Sequence, residues 1–252
     1  MPWTYPRVFA HRGGGVLAPE NTMAGLAAGV AHGHNAVEFD VMLSADEVPI
    51  LMHDATFGRT VAGRGNIADT QAATLVTLDA GAWFDPAFEG EKIPTLAEAL
   101  AYCRRHNIFM NIEIKPAPGT DRRTGAVVSA AAATHLREID GGASGIVLSS
   151  FSTVALEAAR EAGPEVPRGY LLHRLKGAWI SRLEELECVA LHCNHELVDR
   201  ALMDTAKSRD VGVFCYTVNS LKRARELRLL GIDALCTDRL DLIGSNFFSS
   251  PD

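Results

Sequence analysis

The chain has 252 residues, 47% of them hydrophobic, which is enough for one sizeable core and predicts a single domain over residues 1–252. Its formal net charge is −7 at pH 7, so the composition argues against a protein that wraps nucleic acid or coats an anionic membrane. No stretch approaches the ~20 consecutive apolar residues that cross a bilayer, so we expect no stable membrane insertion.

Short apolar runs alternate with helical patterns from one end of the chain to the other. The nine strand candidates cover residues 7–11, 36–43, 48–54, 108–115, 145–151, 168–173, 188–194, 211–219 and 233–237. The helical patterns cover residues 22–33, 95–106, 125–139, 152–163, 180–186, 200–210 and 220–231. Each helical pattern has apolar residues near positions i, i+3 and i+4, and several end in glycine, which commonly follows a helix.

This alternation also indicates the fold class. Serial strand–helix units predict a parallel sheet, because parallel strands need a crossover connection. About eight such units in a chain of this length predict a (β/α)8 TIM barrel. A doubly wound open sheet is the alternative, but no G-x-G-x-x-G motif opens the first helix.

The third strand candidate follows the second after a short polar turn, ADEV. We interpret the pair as an antiparallel hairpin over the barrel mouth, in which His53 returns opposite Asp40. The stretch 55–92 that follows is rich in glycine and far longer than a typical loop between strand and helix. It is predicted to be an insertion or lid on the C-terminal face, where barrel enzymes hold their active sites.

The five cysteines are scattered along the chain, and no two of them form a C-x-x-C pair. They are Cys103, Cys188, Cys193, Cys215 and Cys236. This usage argues against a disulfide framework and against a zinc site. Since no apolar leader precedes the first motif, the sequence favours a reducing, cytoplasmic location.

Glu38 and Asp40 are two positions apart on an otherwise apolar strand candidate. This spacing places both side chains on one face of the strand, where they repel each other and lose hydration. Glu113 and Lys115 repeat the spacing on a later strand, and both pairs would point inward at the barrel mouth. Three carboxylates without a cysteine indicate a hard divalent cation, Mg²⁺ or Ca²⁺. The alternative is an ion-pair cluster with Arg12 that holds no metal.

His11 and His53 each lie near the end of a strand candidate, so both would meet the acids at the same mouth. Two imidazoles can serve as general base and general acid in one reaction. Arg12 and Lys115 can bind the non-bridging oxygens of a phosphate. Glycines 13–15 are expected to let the backbone approach this anionic ligand. These residues predict a site for phosphate ester chemistry, and they do not decide which histidine acts first.

Eight segments occur in an order that resembles the glycerophosphodiester phosphodiesterase family. They are HRG…PENT, EFDV, PILMHDATFGRT, IPTLAEAL, NIEIK, LSSF, YTVN and TDR. The resemblance covers nearly the whole chain and implies a (β/α)8 barrel with an insertion after the second histidine. Carried over by position, it implies that Glu38, Asp40 and Glu113 bind one divalent cation, His11 and His53 form the acid–base pair, Arg12 and Lys115 hold phosphate, and Asn21 supports the site.

The resemblance also bears on the substrate. Tyr216 stands in YTVN where the family commonly has Trp, so it would alter the pocket wall that contacts the substrate. The implied reaction is metal-dependent hydrolysis of a small glycerophosphodiester to an alcohol and glycerol 3-phosphate. One alternative is a phospholipase D acting on lysophospholipids, for which WFDPAF could supply an apolar mouth. Another is a catalytically silent barrel that binds phosphorylated small molecules. The oligomeric state, the choice of metal, the alcohol and the route through water or a cyclic phosphate stay open.

Overall fold

The computed structural model describes residues 3–138, 145–175 and 177–249, and nine strands within these ranges form one sheet. Eight of the strands run parallel and close into a barrel, because the first strand pairs with both the second and the last. The strands are β1 (Val8–Ala10), β2 (Ala36–Leu43), β3 (Pro49–Leu51), β4 (Phe109–Ile114), β5 (Ile146–Ser150), β6 (Arg168–Leu172), β7 (Ala190–Asn194), β8 (Gly212–Tyr216) and β9 (Ala234–Thr237). The predicted (β/α)8 barrel is confirmed.

Helices connect the parallel strands on the outside of the barrel. The α-helices in the described ranges are α1 (Met23–Ala31), α2 (Ala72–Leu75), α3 (Leu96–Arg105), α4 (Asp121–Arg137), α5 (Thr153–Ala162), α6 (Trp179–Glu185), α7 (Arg200–Ser208) and α8 (Leu221–Leu230). The helix predicted over 125–139 begins earlier, at Asp121, and residue 139 lies outside the described residues. Thr95 and Glu98 begin α3 with a reciprocal capping box. Gly231 ends α8 with a φ of 92°, a conformation that glycine adopts without strain.

The hairpin after β2 forms as predicted, but its register differs by one residue. Leu43 pairs with Pro49, and the Met52 N–H donates to the Asp40 carbonyl at 3.1 Å. Met52 therefore lies opposite Asp40, and the prediction that His53 would do so is wrong. The Ser44 N–H donates to the Val48 carbonyl at 3.1 Å, so the turn has three residues, 45–47, one fewer than the expected ADEV, and Glu47 closes it with a positive φ of 62°.

The barrel interior has an aromatic lower half and a polar upper half. Phe9, Phe109 and Phe214 fill the lower half, and Trp3 and Tyr5 pack beneath them at the N-terminal end. Nearer the C-terminal end, the register places Asp40 beside Glu113 and Glu38 beside Asn111. Since inward side chains alternate along a strand, all four face the interior. The sheet itself therefore brings the predicted acids together.

The stretch 55–92 contains the short α2, two 3-10 turns (Ile67–Asp69 and Pro86–Phe88) and its own apolar cluster. Ile67, Leu75 and Val61 pack there against Ile50 and Met52 of the hairpin. These contacts fix the stretch on the hairpin that leads out of β2. Among all the described residues, no helix is both long and apolar enough to cross a bilayer.

Candidate active site

The carboxyl ends of the barrel strands surround a cavity of about 240 Å³. Its walls include eight of the nine side chains that the sequence assigned to the site. The lining residues are His11, Arg12, Glu38, Asp40, His53, Asn111, Glu113, Lys115, Ser149, Phe151, Leu171, Phe214, Tyr216, Thr217 and Cys236. The ninth, Asn21, lies behind the wall, where its Nδ2 donates to Asp40 Oδ2 at 2.9 Å and its Oδ1 accepts from the Asp40 N–H at 3.1 Å.

Glu38, Asp40 and Glu113 place carboxylate oxygens within 4.8 Å of one another. Burial raises the pKa of Glu38 to about 7, and the charge of Asp40 adds to this effect. Burial and Asp40 also raise the pKa of Glu113 well above its ordinary value. Burial acts in the same direction on Asp40, but Lys115 and Arg12 outweigh it and lower the pKa of that carboxyl. The cluster thus concentrates more negative charge than its neighbours neutralise.

This donor set fits a hard divalent cation. The three carboxylates supply oxygen ligands, which Mg²⁺ and Ca²⁺ prefer. Asn111 adds an observation in the same wall, since its buried Oδ1 has no hydrogen-bond partner in the described part of the chain. A buried acceptor without a partner indicates a missing donor or cation.

Two cationic side chains border the carboxylates. Lys115 Nζ lies 3.3 Å from Asp40 Oδ1 and 3.9 Å from Glu113 Oε1. Arg12 Nε lies 3.5 Å from Asp40 Oδ2, and Arg12 Nη1 donates to Glu20 Oε1 at 2.8 Å. Arg12 has a positive φ of 51°, and its backbone N–H donates to Glu38 Oε2 at 3.1 Å. Both cations therefore lie where an anion bound beside the carboxylates would meet them.

The glycines beside Arg12 pack closely against neighbouring parts of the chain. A Cβ on Gly15 would lie 2.2 Å from the Asp238 carbonyl oxygen, and one on Gly13 would lie 2.9 Å from the Leu26 nitrogen. Both glycines also have positive φ values, 85° for Gly13 and 55° for Gly15. They allow the loop to pack tightly against α1 and the end of β9. The expectation that they also let the backbone approach a ligand stays a prediction.

Each predicted catalytic histidine has a carboxylate partner. His11 Nδ1 lies 2.5 Å from Asp238 Oδ1, and His53 Nδ1 lies 2.6 Å from Asp54 Oδ1. His11 lowers the pKa of Asp238 by hydrogen bonding, against the effect of burial, and Arg59 and His53 lower the pKa of Asp54 to about 2. An ionised carboxylate only accepts, so Nδ1 of each ring carries the proton. Nε2 of each ring is then left for a ligand.

The two imidazoles nevertheless differ in basicity. Burial lowers the pKa of His11, but Asp238 and Glu38 outweigh this effect and raise it overall. Burial lowers the pKa of His53 as well, and there the carboxylates offset only part of the shift. Arg12 and Lys115 act in the same direction as burial on His53. His11 therefore retains a proton to higher pH than His53.

Tyr216 forms part of the opposite wall. Its hydroxyl donates to the Leu172 carbonyl at 3.0 Å, which fixes the ring. Phe151 packs edge-on against it, with ring centroids 5.9 Å apart, and is itself 48% exposed. The cavity thus has a charged side on β2 and β4 and an aromatic side on β5 and β8.

Sequence reasoning missed four charged residues that orient the site. Asp238 and Asp54 hold the histidines, Glu20 holds Arg12, and Arg59 contacts both Glu20 and Asp54. All four belong to the quoted segments TDR, HDATFGRT and PENT. The usable signal was an acid directly beside a catalytic histidine, as in HD, or at a strand end, as in TD.

Comparisons with known proteins agree with this geometry. The model of the glycerophosphoryl diester phosphodiesterase family matches residues 11–242. A Bacillus subtilis (strain 168) protein, provisionally named a glycerophosphodiester phosphodiesterase, is 31% identical over 94% of this chain and 96% of its own. A glycerophosphodiester phosphodiesterase from Caldanaerobacter subterraneus subsp. tengcongensis is 29% identical over 92% of this chain and 93% of its own.

A solved structure gives the same result. An Oleispira antarctica phosphodiesterase in complex with the product sn-glycerol-3-phosphate superposes with a TM-score of 0.88. The two chains are 35% identical, and the match covers 96% of each. Because the family match extends over nearly the whole chain and the site residues converge in one cavity, the protein belongs to the glycerophosphoryl diester phosphodiesterase family and is a phosphoric diester hydrolase.

Proposed function

We propose that the protein hydrolyses small glycerophosphodiesters to an alcohol and sn-glycerol 3-phosphate, with His11 and His53 as the acid–base pair. One observation carries this proposal. Two histidines, each held through Nδ1 by a carboxylate, share a single cavity with three clustered carboxylates and two cations. That set supplies proton donors and acceptors together with groups that bind a phosphate.

The size and walls of the cavity support a small substrate. A volume of about 240 Å³ suits a glycerophosphate unit better than a large diester. The Oleispira antarctica protein, which matches this chain over 96% of its length, was solved with sn-glycerol-3-phosphate. Arg12 and Lys115 would bind the phosphate oxygens of such a ligand, while Phe151 and Tyr216 would face its alcohol.

Glu38, Asp40 and Glu113 would hold one divalent cation, Mg²⁺ or Ca²⁺. When bound, the cation supplies Lewis-acid stabilisation of the charge that develops on the phosphate oxygens. The carboxylates would fix its position, and Asn21 would hold the Asp40 carboxylate through the bond to Oδ2. Lys115 and Arg12, which contact Asp40 from two sides, would keep that carboxylate ionised.

The two histidines would have different roles. Asp238 faces His11 and also accepts a bond from Asn219, whereas Asp54 shares its charge with the Arg59 guanidinium. His11 therefore has the stronger anionic support and would start protonated, as the general acid for the leaving alcohol. His53 would start neutral and take the proton of the attacking hydroxyl, from water or from the glycerol itself.

The decisive experiment is a turnover panel with Mg²⁺, with Ca²⁺ and after chelation. For glycerophosphocholine and glycerophosphoethanolamine it measures release of sn-glycerol 3-phosphate. For lysophosphatidylcholine it measures release of choline, because the other product keeps the acyl chain. We expect release from the two glycerophosphodiesters and its loss on chelation. Turnover that is unchanged by chelation would exclude the metal-dependent mechanism. Calorimetric titration of Glu113→Ala should show weakened binding of Mg²⁺ or Ca²⁺, while the exposed Glu89→Ala serves as the control.

A second candidate substrate is a lysophospholipid. Among the large apolar side chains exposed in the described ranges, five come soon after the carboxyl end of a barrel strand, the end at which the cavity opens, and a sixth lies in the stretch 55–92. The five are Val16, Phe151, Val154, Leu175 and Leu242, and the sixth is Trp83. We propose that the stretch 55–92, which carries Trp83, covers part of the mouth and sets the preference between these substrates. Trp83→Ala should change the ratio of kcat/KM values across the panel, and an unchanged ratio would exclude this role.

We also propose a reducing, cytoplasmic location. All five cysteines are free and buried, which is typical of proteins that are kept reduced. Comparing the protein in cytoplasmic and exported cell fractions would test the location.

A further inference from the structure

Arg59 lies in the stretch 55–92, six residues after the catalytic histidine of that segment, and contacts two acids at once. Its Nη1 and Nη2 donate to the two carboxylate oxygens of Glu20, each at 2.7 Å. Its Nε donates to Asp54 Oδ2 at 2.6 Å. We propose that Arg59 is a positioning residue that couples His53 to Arg12 through these two carboxylates.

The first half of the connection concerns the ring of His53. Asp54 Oδ1 holds His53 Nδ1 at 2.6 Å, and the other oxygen of the same carboxylate is bound to Arg59. Asp54 is partly exposed, with 27% of its side chain accessible, so without that second bond only its contact with His53 would hold its orientation. Arg59 thus fixes the carboxylate that selects the tautomer and orientation of the imidazole.

The second half concerns Arg12. Glu20 Oε1 accepts from Arg12 Nη1 at 2.8 Å and from Arg59 Nη2 at 2.7 Å. Glu20 is the only carboxylate in the described ranges that bridges the two guanidinium groups by hydrogen bonds. Without Arg59, Glu20 would be free to move together with Arg12. The Arg12 guanidinium, which is proposed to bind phosphate, would then lose its fixed position.

The geometry requires an arginine. Three nitrogens of one planar group meet three oxygens of two carboxylates, which come from segments 34 residues apart in sequence. A lysine offers one ammonium on a flexible chain and cannot span both acids. The Arg59 guanidinium also lies 5.9 Å from the Trp83 ring, so the same residue connects the insertion to the segments that follow β1 and β3.

The rate arm of the test rests on the proposed function, whereas the spectroscopic arm does not. The variants are Arg59→Met, Arg59→Lys and the control Arg64→Met, which removes an exposed arginine from the same stretch. For each full-length variant with Mg²⁺, ¹⁵N–¹H correlation spectra of the histidine rings report the tautomer of His53. The His53 signal is assigned with His53→Gln. Steady-state kinetics on glycerophosphocholine give kcat and KM separately.

In the wild type and in Arg64→Met, we expect a single His53 tautomer with the proton on Nδ1. In Arg59→Met, we expect signals from both tautomers of His53. We also expect a raised KM, because Arg12 loses its position, and a kcat/KM lower by roughly 10- to 100-fold, the scale for a misplaced catalytic group. Arg59→Lys should fold with its charge kept and show the same changes in weaker form. If the His53 signals of Arg59→Met or Arg59→Lys match those of Arg64→Met, the inference is overturned, even where the rate falls.

Separate outcomes would reject the two-histidine mechanism and the role of Arg59. Full activity in His53→Ala would reject the two-histidine mechanism, while the His53 spectrum would still report on Arg59. Loss of activity in His53→Ala together with unchanged rates and spectra in Arg59→Met would reject the role of Arg59 alone.

Discussion

The two sides of the catalytic mouth are built alike but anchored differently. On one side, His11 follows β1 and its partner Asp238 follows β9, so the barrel wall fixes both. On the other side, His53 and Asp54 are neighbours in the chain and depend on Arg59 from the adjoining stretch. The pKa of His11 is raised because Asp238 and Glu38 outweigh burial, whereas the pKa of His53 is lowered because burial, with Arg12 and Lys115, outweighs Asp40 and Asp54.

One fold thus gives two histidines pKa values shifted in opposite directions, which supports the different roles proposed for them. The carboxylate of Asp238 faces His11 together with a neutral amide, whereas Asp54 also neutralises Arg59. The difference in pKa also comes from charges that act on each ring directly: Glu38 adds to the effect of Asp238 on His11, whereas Arg12 and Lys115 oppose the carboxylates at His53. The following experiments test whether this difference is real, from the largest expected effect to the smallest.

The largest loss of kcat should come from removing the imidazole of either His11 or His53. We expect His11→Ala and His53→Ala each to lower kcat by about 10²–10⁴-fold, the usual contribution of a general acid or base. The double variant should lose much less than the product of the two, because residues that act as a unit are not additive. Steady-state kinetics beside calorimetric metal titration checks this, and Mg²⁺ affinity should change little. Losses below tenfold in both single variants would mean that the rings are structural.

A smaller effect should come from the carboxylates. Asp238→Asn and Asp54→Asn each keep the shape of the acid, but an amide no longer enforces the proton on Nδ1. We expect Asp238→Asn to lower kcat by roughly 100-fold, the scale for a misplaced group. Asp54→Asn should lower kcat by a smaller factor, because the proposed general base, His53, starts neutral and does not need a raised pKa. Equal losses, measured on one substrate at one pH, would contradict the asymmetry between the two sides.

Much of this arrangement follows from the sequence. Apolar runs and helical periodicity predicted the strand order, and the spacing of Glu38, Asp40 and Glu113 placed the acids on inward faces. The partner of His11 could not be predicted, because Asp238 is 227 residues away and the two meet only when the barrel closes. The hairpin register also could not be predicted, since it depends on the backbone conformation of Glu47 rather than on a pattern.

A third histidine, His192, extends the comparison because no carboxylate in the described ranges binds its ring. His192 on β7 is fully buried and stacks on Phe214 with centroids 4.4 Å apart, and neither ring nitrogen has a hydrogen-bond partner in the described ranges. Burial lowers its pKa to about 3. The unfolded chain, with a histidine pKa of about 6.5, therefore binds more protons between these values. The contribution of His192 to stability is lost as the pH falls from about 6.5 towards 3.

His192→Leu should remove this dependence. The difference in unfolding free energy between wild type and variant should change by about 1.4 kcal/mol per pH unit within that window. Urea denaturation at pH 6.5, 5.5 and 4.5 measures it, with the exposed His106→Gln as the control. A difference that stays constant with pH would mean that His192 is hydrated or hydrogen-bonded in the folded protein.

The most direct measurement of the central claim varies the leaving group. Each single histidine variant is assayed on glycerophosphocholine, whose alcohol needs a proton to leave, and on a glycerophospho-p-nitrophenyl diester, whose phenolate does not. We predict that His11→Ala recovers much of its rate on the p-nitrophenyl substrate and that His53→Ala stays slow on both. Recovery in His53→Ala instead would exchange the two roles, and equal losses on both substrates in both variants would contradict acid–base catalysis by this pair.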